Sequence, residues 1–185
     1  MIETERLILR KWRESDAESC YRYAKDPAVG PIAGWPPHTS AEGSLYVITH
    51  VFTGAECYAV CLKETDEAIG AIELKLNGST DMTERDDECE LGYWLGVPHW
   101  HKGYIQEAGR ALLKRAFEEL GMRCVWCGYY DGNARSARAQ ERLGFVYHHT
   151  TEGLELPLLD EIRTGHVNLL TREKWLRDTR GEETV

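Results

Sequence analysis

A mixed β-sheet flanked by helices is the architecture this sequence predicts, and three observations carry the prediction. Strand-like runs dominate the first half, and strands alternate with helices in the second. Residues 91–97 form a strand-like run that stops at Pro98, and a compact loop (98–104) leads into a helical pattern of about four turns. No internal repeat, low-complexity tract or interdomain linker interrupts the 185 residues, so a single domain over residues 1–185 is expected.

The elements follow in chain order. Residues 4–10 alternate and read as an edge or near-edge strand, with Leu7 and Leu9 on one face. Ser15 and Glu18 have capping-box spacing and open a helix that ends at Asp26-Pro27. Residues 30–37 are rich in Gly and Pro and read as a loop. Thr39 and Glu42 repeat the capping-box spacing and start a helix to about residue 53. Residues 58–62 and 68–76 read as a hairpin, and 77–87 as a polar, acidic, mobile loop. A strand over 88–97 precedes the loop and a helix whose apolar face carries Ala108, Leu112, Leu113, Ala116, Phe117 and Leu120, with Gly121 as its stop. A strand over 124–130, a short helix closed by Gly144, and strands over 145–151 and 166–171 complete the order. Residues 152–163 are ambiguous.

Composition excludes some functions. Hydrophobic content is 42% and aromatic content 10%, ordinary for a folded enzyme. The formal charge is −9, from 31 acids against 22 bases, with no dense Lys/Arg run, so no nucleic-acid partner is expected. An amine substrate suits the acidic balance. No apolar run approaches a membrane span and no signal peptide is expected, which implies a cytoplasmic protein with no membrane partner. Cys124 and Cys127 have zinc-knuckle spacing, yet residues three apart on a strand point to opposite faces. Reduced thiols and no metal are therefore expected.

The strand, tight loop and helix around residues 91–121 aim several backbone N–H groups at one point, where the helix dipole adds partial positive charge. WHKGYIQEA there resembles the acyl-CoA loop of the GNAT acetyltransferase superfamily, and the flanking ECELGYWLGVPHW is similar to its RimJ/RimL branch. Trp100, Lys102, Gly103 and Tyr104 fit the branch pattern, while His101 stands at a frequent Gly and Ile105 at the final Gly or Ala. Asn133-Ala-Arg-Ser136, followed by Glu141-Arg-Leu-Gly-Phe145, resembles the superfamily's second motif. The opening TERLILRKWRESDAE resembles the branch's first strand, WPPHTSAEGS its substrate-side helix entry and LLTREKW its last strand.

The resemblance implies the GNAT fold: a mixed, mostly antiparallel sheet of about seven strands, splayed at the centre between the fourth and fifth, flanked by helices. It implies acetyl-CoA as co-substrate. Leu95, Gly96 and Val97 would then lend backbone groups to the pantetheine arm, and Lys102, Gly103, Tyr104 and Ile105 would supply N–H groups to the pyrophosphate. Asn133 can cap its helix, and the resemblance implies a contact with the pantetheine or acetyl region; the two roles can share the site. Many members carry a Tyr acid seven residues after the Asn; here Gln140 stands there, and the branch pattern assigns the thiolate-stabilising hydroxyl to Ser136. Glu90 occupies a position where several members hold a carboxylate that takes the ammonium proton, with Glu88 as the fallback. Trp35, Pro36, Pro37 and His38 lie in the expected substrate-side loop, with Trp35 its anchor.

The resemblance implies acetyl transfer straight to a primary amine, first of all a protein or peptide N-terminus. A small-molecule amine such as an antibiotic, polyamine or amino acid is the alternative acceptor, and a non-catalytic CoA-binding module is a third reading. The sequence leaves the oligomeric state open.

Overall fold

The structure, a computed structural model, describes residues 1–182. Eight strands form one sheet in the order β1-β2-β3-β4-β5-β6-β8-β7. They are β1 (Ile2–Glu3), β2 (Leu7–Arg10), β3 (Cys57–Leu62), β4 (Ala68–Lys75), β5 (Glu88–Leu95), β6 (Cys124–Tyr130), β7 (Val146–Leu156) and β8 (Glu161–Thr171). The helices are α1 (Ala17–Ala24), α2 (Gly30–Ala33), α3 (Ala41–His50), α4 (Tyr104–Lys114), α5 (Ala134–Arg142) and α6 (Arg172–Glu182). Every strand pair is antiparallel except β5 with β6. The sheet is thus the mixed, mostly antiparallel one expected; the strand beyond seven is the two-residue β1.

The β5–β6 pairing determines where the site forms. Only Glu88, Cys89 and Glu90 find register partners on β6, at Cys124, Val125 and Trp126. Beyond Glu90 both strands continue, but apart, so the sheet opens into a gap. On one face of β5, Cys89 and Leu91 pack into the core with Ala108, Leu112, Leu113, Ala116 and Phe117. Alternation puts Glu88, Glu90, Gly92 and Trp94 on the other face. The α4 helix therefore forms because its apolar face has this core to cover, and it runs on through a π-helical turn at Arg115–Glu119.

Several expectations are corrected. Residues 4–10 are not one strand, because a Thr4–Leu7 turn, with Thr4 N–H to Leu7 C=O at 2.9 Å, folds β1 back on β2. Ser15 does not cap; Asp16 accepts the Arg13 N–H at 2.9 Å and pairs with the buried Arg10. Ser40, not Thr39, caps α3 by accepting the Gly43 N–H, and α3 stops at His50. The loop over 30–37 contains one helical turn, α2, closed by Gly34 at φ 97°. Residues 77–87 are tied down by Thr80 to Glu90 (2.5 Å), Thr83 to Glu88 (2.8 Å) and Asn77 to Asp86 (2.8 Å). The ambiguous 152–163 segment continues the β7–β8 hairpin, whose largely exposed strand β7 has no buried face to impose alternation. LLTREKW is strand only to Thr171, whose hydroxyl accepts the Lys174 N–H and caps α6.

Candidate active site

The phosphate-type loop is built by backbone geometry. Gly103 sits at φ 79° and caps α4, and His101 takes φ 61°, the left-handed region that a Gly enters more cheaply. The first bond into α4 runs from Glu107 N–H to Gly103 C=O at 3.0 Å. The N–H groups of Tyr104, Ile105 and Gln106 precede it and have no acceptor within the helix. With the helix dipole they make this end of the cleft suited to an anion. Arg6 closes the outside of the loop: it donates to Lys102 C=O at 2.9 Å and pairs with Glu107 at 2.7 Å.

A cleft of about 190 Å³ runs from this loop to the sheet gap. Tyr93, Trp94 and Leu95 line one side and Asn133, Arg135 and Ser136 the other, with Gly103, Tyr104 and Ile105 at the loop end. Arg135, Arg138 and Arg142 all reach it from α5, their three- and four-residue spacing placing them on one helix face. The Arg135 guanidinium lies 3.3 Å from the centre of the Trp100 ring, bridging helix and loop. An acidic chain thus presents a cationic cleft wall, which folding assembles from residues that form no basic run in the sequence.

The gap edge of β5 is free in a defined way. Gly96 N–H donates to Ile69 C=O at 2.9 Å, which makes Leu95–Gly70 a non-hydrogen-bonded pair. Tyr93 and Leu95 therefore turn their N–H and C=O groups towards the gap. The Leu95 C=O accepts the Trp100 indole N–H at 2.7 Å, which leaves the Leu95 N–H and both Tyr93 groups as strand-edge partners. Gly96 and Val97 stand outside the cleft lining. Gly96 packs on Tyr23, where an added Cβ would lie 2.4 Å from the ring.

At the gap the structure brings together residues that the sequence separates. The Ser136 Oγ lies 2.9 Å from the Tyr93 phenol and accepts the Gln140 side-chain N–H at 3.1 Å. Burial holds the Tyr93 phenol well above its ordinary pKa, so it remains protonated. Asn133 Oδ1 accepts the Ser136 N–H at 3.1 Å and is a helix cap. Tyr93, 43 residues from Ser136 in sequence, was not singled out by motif reading.

The carboxylates lie on the opposite face of β5. Glu90 is 8% exposed, accepts Lys75 Nζ at 2.9 Å and Thr80 Oγ1 at 2.5 Å, and does not line the cleft. Glu88 accepts the Trp126 indole N–H at 2.7 Å, the Thr83 hydroxyl and Arg123; against the opposing effect of burial, these bonds leave its pKa below the ordinary value. Glu73, which the sequence did not flag, pairs in register with Gly92, and burial pushes its pKa up. Trp35 stacks edge-on against Trp94, centroids 5.7 Å apart, and anchors its loop. The six cysteines are buried and unbridged, and burial raises Cys57 and Cys61 to about 12, away from nucleophilic chemistry. Among the described residues no cluster of three or more His, Cys, Asp or Glu is placed to hold a metal ion, and no helix is long and apolar enough to cross a membrane.

A splayed sheet with free helix N–H groups at one end of the gap and a hydroxyl pair at the other has the form of an acyltransferase site. The acetyltransferase (GNAT) domain matches residues 6–146, and the chain belongs to that family. Among its relatives, the uncharacterized N-acetyltransferase p20 of Bacillus licheniformis is 29% identical over 149 residues, covering 78% of this chain and 81% of the relative. YdaF of Bacillus subtilis (strain 168), named as a candidate ribosomal N-acetyltransferase, is 35% identical over 66 residues, 36% of each chain. A GNAT-family acetyltransferase structure from Bacillus anthracis superposes with a TM-score of 0.76 at 22% identity, over 93% of this chain and 98% of that one. The fold is therefore the GNAT fold, and the protein is an N-acetyltransferase whose family uses acetyl-CoA.

Proposed function

We propose that this enzyme moves an acetyl group from acetyl-CoA directly to the N-terminal amine of a protein, as a RimJ/RimL-like member. The observation that carries the reading is the Ser136–Tyr93 hydroxyl pair at the gap, set in the wall of a cleft that ends at the free N–H groups of α4. The residues fit the co-substrate. The N–H groups before Glu107, aided by Arg138 and Arg142, suit its phosphates, and the unpaired edge of Tyr93 and Leu95 suits the amide-rich arm. Ser136 then stands where a hydroxyl can donate to the departing sulfur. The amine nitrogen attacks the thioester carbon, the C–N bond forms, the C–S bond breaks, and the thiolate gains its hydrogen bond from Ser136.

The acceptor is read as approaching from the opposite face, through the gap beside Trp94. There Glu90 would take the ammonium proton through water. Its two oxygens already accept Lys75 and Thr80, yet a carboxylate has about four acceptor sites, so a water can still bind. YdaF supports the peptide acceptor by its name, and the work would be done in the cytoplasm by one domain. An acceptor screen tests the proposal: peptides with free N-termini should release CoA with acetyl-CoA, and spermidine or aminoglycosides should not. Turnover of the small amines with none on peptides would overturn it. Amine-independent acetylation of a Cys would overturn direct transfer.

A further inference from the structure

We infer that Gln140 and Asn168 are positioning residues that fix the direction of the Ser136 hydroxyl proton and aim it into the cleft, an inference that rests on the role proposed for Ser136. Gln140 is a fully buried amide on α5, at 0% exposure, where a purely structural reading of the sequence expects an apolar residue. Its Nε2 donates to the Gly128 C=O at 3.0 Å, a group that can only accept. Its Oε1 accepts Nδ2 of Asn168, a buried residue of β8, at 2.8 Å. Reversing the Gln140 amide would set oxygen against oxygen at Gly128 and nitrogen against nitrogen at Asn168, so the surroundings impose one orientation. The remaining Nε2 hydrogen then faces Ser136 Oγ at 3.1 Å, and the serine oxygen must accept it.

The second side of Ser136 is set by Tyr93. The phenol, kept protonated by burial, has two acceptors in reach: Ser136 Oγ at 2.9 Å and the Ser136 C=O at 3.4 Å. Either hydroxyl can donate across the 2.9 Å contact; in the proposed arrangement Tyr93 does, because its other acceptor, at 3.4 Å, is the poorer one. Two donors now occupy the two lone pairs of Ser136 Oγ. Its own proton cannot point to either of them, and the Asn133 Oδ1 is bonded by the Ser136 N–H and not by the Ser136 hydroxyl. The direction left is the cleft that Ser136 and Tyr93 line together. Accepting two hydrogen bonds also polarises the serine O–H and makes it a stronger donor. The chain Asn168 to Gln140 to Ser136, met by Tyr93, thus converts an ordinary serine into a directed donor at the place assigned to the sulfur. The superfamily's usual tyrosine at the Gln140 position is absent, and a tyrosine from β5 stands at the same hydroxyl.

Single-turnover rates with acetyl-CoA and the best acceptor of the screen test this, using Ser136→Ala, Gln140→Glu, Gln140→Leu and the double variant Ser136→Ala/Gln140→Glu. Glu is nearer than Leu to Gln in shape but sets a carboxyl oxygen against the Gly128 C=O, so a purely structural role predicts that the Glu loss multiplies with the Ser136→Ala loss in the double variant. Directed donation predicts the opposite. Glu in either protonation state accepts from Ser136 and turns its proton away, lowering the rate by roughly ten-fold or more, close to the Ser136→Ala loss. Leu leaves the proton free to reach the cleft and should cost less. The Gln140→Glu deficit should persist as pH falls, because the single hydrogen of a protonated carboxyl goes to the Gly128 C=O and none is left for Ser136. The double variant should fall no further than Ser136→Ala, with acetyl-CoA affinity unchanged throughout. Should Gln140→Glu not fold, Tyr93→Phe tests the other side of Ser136: it removes one of the two donors that hold the Ser136 Oγ, so the rate should fall by roughly several-fold with acetyl-CoA affinity unchanged, and an unchanged rate overturns the inference. A Gln140→Leu loss at least as large as that of Gln140→Glu, or a double variant that multiplies the two losses, overturns the inference while leaving the Ser136 role intact. An unchanged Ser136→Ala rate overturns both.

Discussion

The latch between the N-terminus and the phosphate-type loop allows a magnitude to be worked out in advance. Glu107 Oε1 accepts the Thr4 hydroxyl at 2.6 Å and the Arg6 N–H at 2.7 Å, and its Oε2 accepts Arg6 Nε at 2.7 Å. Glu107→Gln keeps the Oε1 contacts and sets an NH₂ against the guanidinium, so it removes the charge-assisted pair that Nε and Nη2 make with Oε2. Such a bond contributes about 1.5–3 kcal/mol when shielded, and an exposed pair about 0–1. The Glu107 side chain is 14% exposed and that of Arg6 44%, which places the loss at about 1–2 kcal/mol. For a chain of this size that lowers the melting temperature by roughly 2–8 °C. The pH dependence has a definite sign. The bonds from Thr4 and Arg6 hold the Glu107 pKa below its ordinary value although burial opposes them. Its contribution is therefore complete above the unfolded-state pKa and is lost as pH falls through the folded one. Thermal melts of wild type and variant should differ fully at about pH 7.5, and the difference should shrink below about pH 5. Because Arg6 also holds Lys102 C=O, acetyl-CoA should bind the variant several-fold more weakly by calorimetry. Equal melting temperatures at neutral pH, or a deficit that persists in acid, would refute the latch.

Three further outcomes follow from the geometry. Gly103→Ala should fold and lose about 1–2 kcal/mol, since an added Cβ meets only Arg6 Nη2 at 3.5 Å and the cost is the left-handed backbone; Gly103→Pro cannot adopt φ 79° and should lose acetyl-CoA binding in the same titration. Gly96→Ala drives a methyl to 2.4 Å from Tyr23 and should destabilise by about 1–3 kcal/mol, read as a lower midpoint in urea without a change in slope. Glu90→Gln should flatten the rising limb of the pH–rate profile and partly recover at high pH, where free amine is present; a profile parallel to wild type would leave Glu90 an orienting group.

What the sequence determined by itself is local. Pro98 bounds a strand, which stops at Leu95 and not at the expected Val97 because Val97–His99 form a 3-10 turn; Gly103 turns the loop, the apolar positions of α4 announce a buried face, and Asn133 lies three residues before the Ser136 N–H it caps. Each of these is a contact within about four residues, so spacing alone records it. The β7–β8 hairpin was illegible between residues 152 and 163 because β7 buries almost nothing and leaves no alternation to read. Tertiary structure alone decided the rest of the site. Sheet order brings Tyr93 of β5 and Asn168 of β8 to the Ser136–Gln140 face of α5, and strand pairing sets Lys75 against Glu90. It also commits the Gly96 N–H to Ile69 and so leaves Tyr93 and Leu95 as the open edge. The physical reason is that a hydrogen bond needs two groups about 3 Å apart with the right polarity. Over separations of 15 to 43 residues, only the folded sheet supplies that distance.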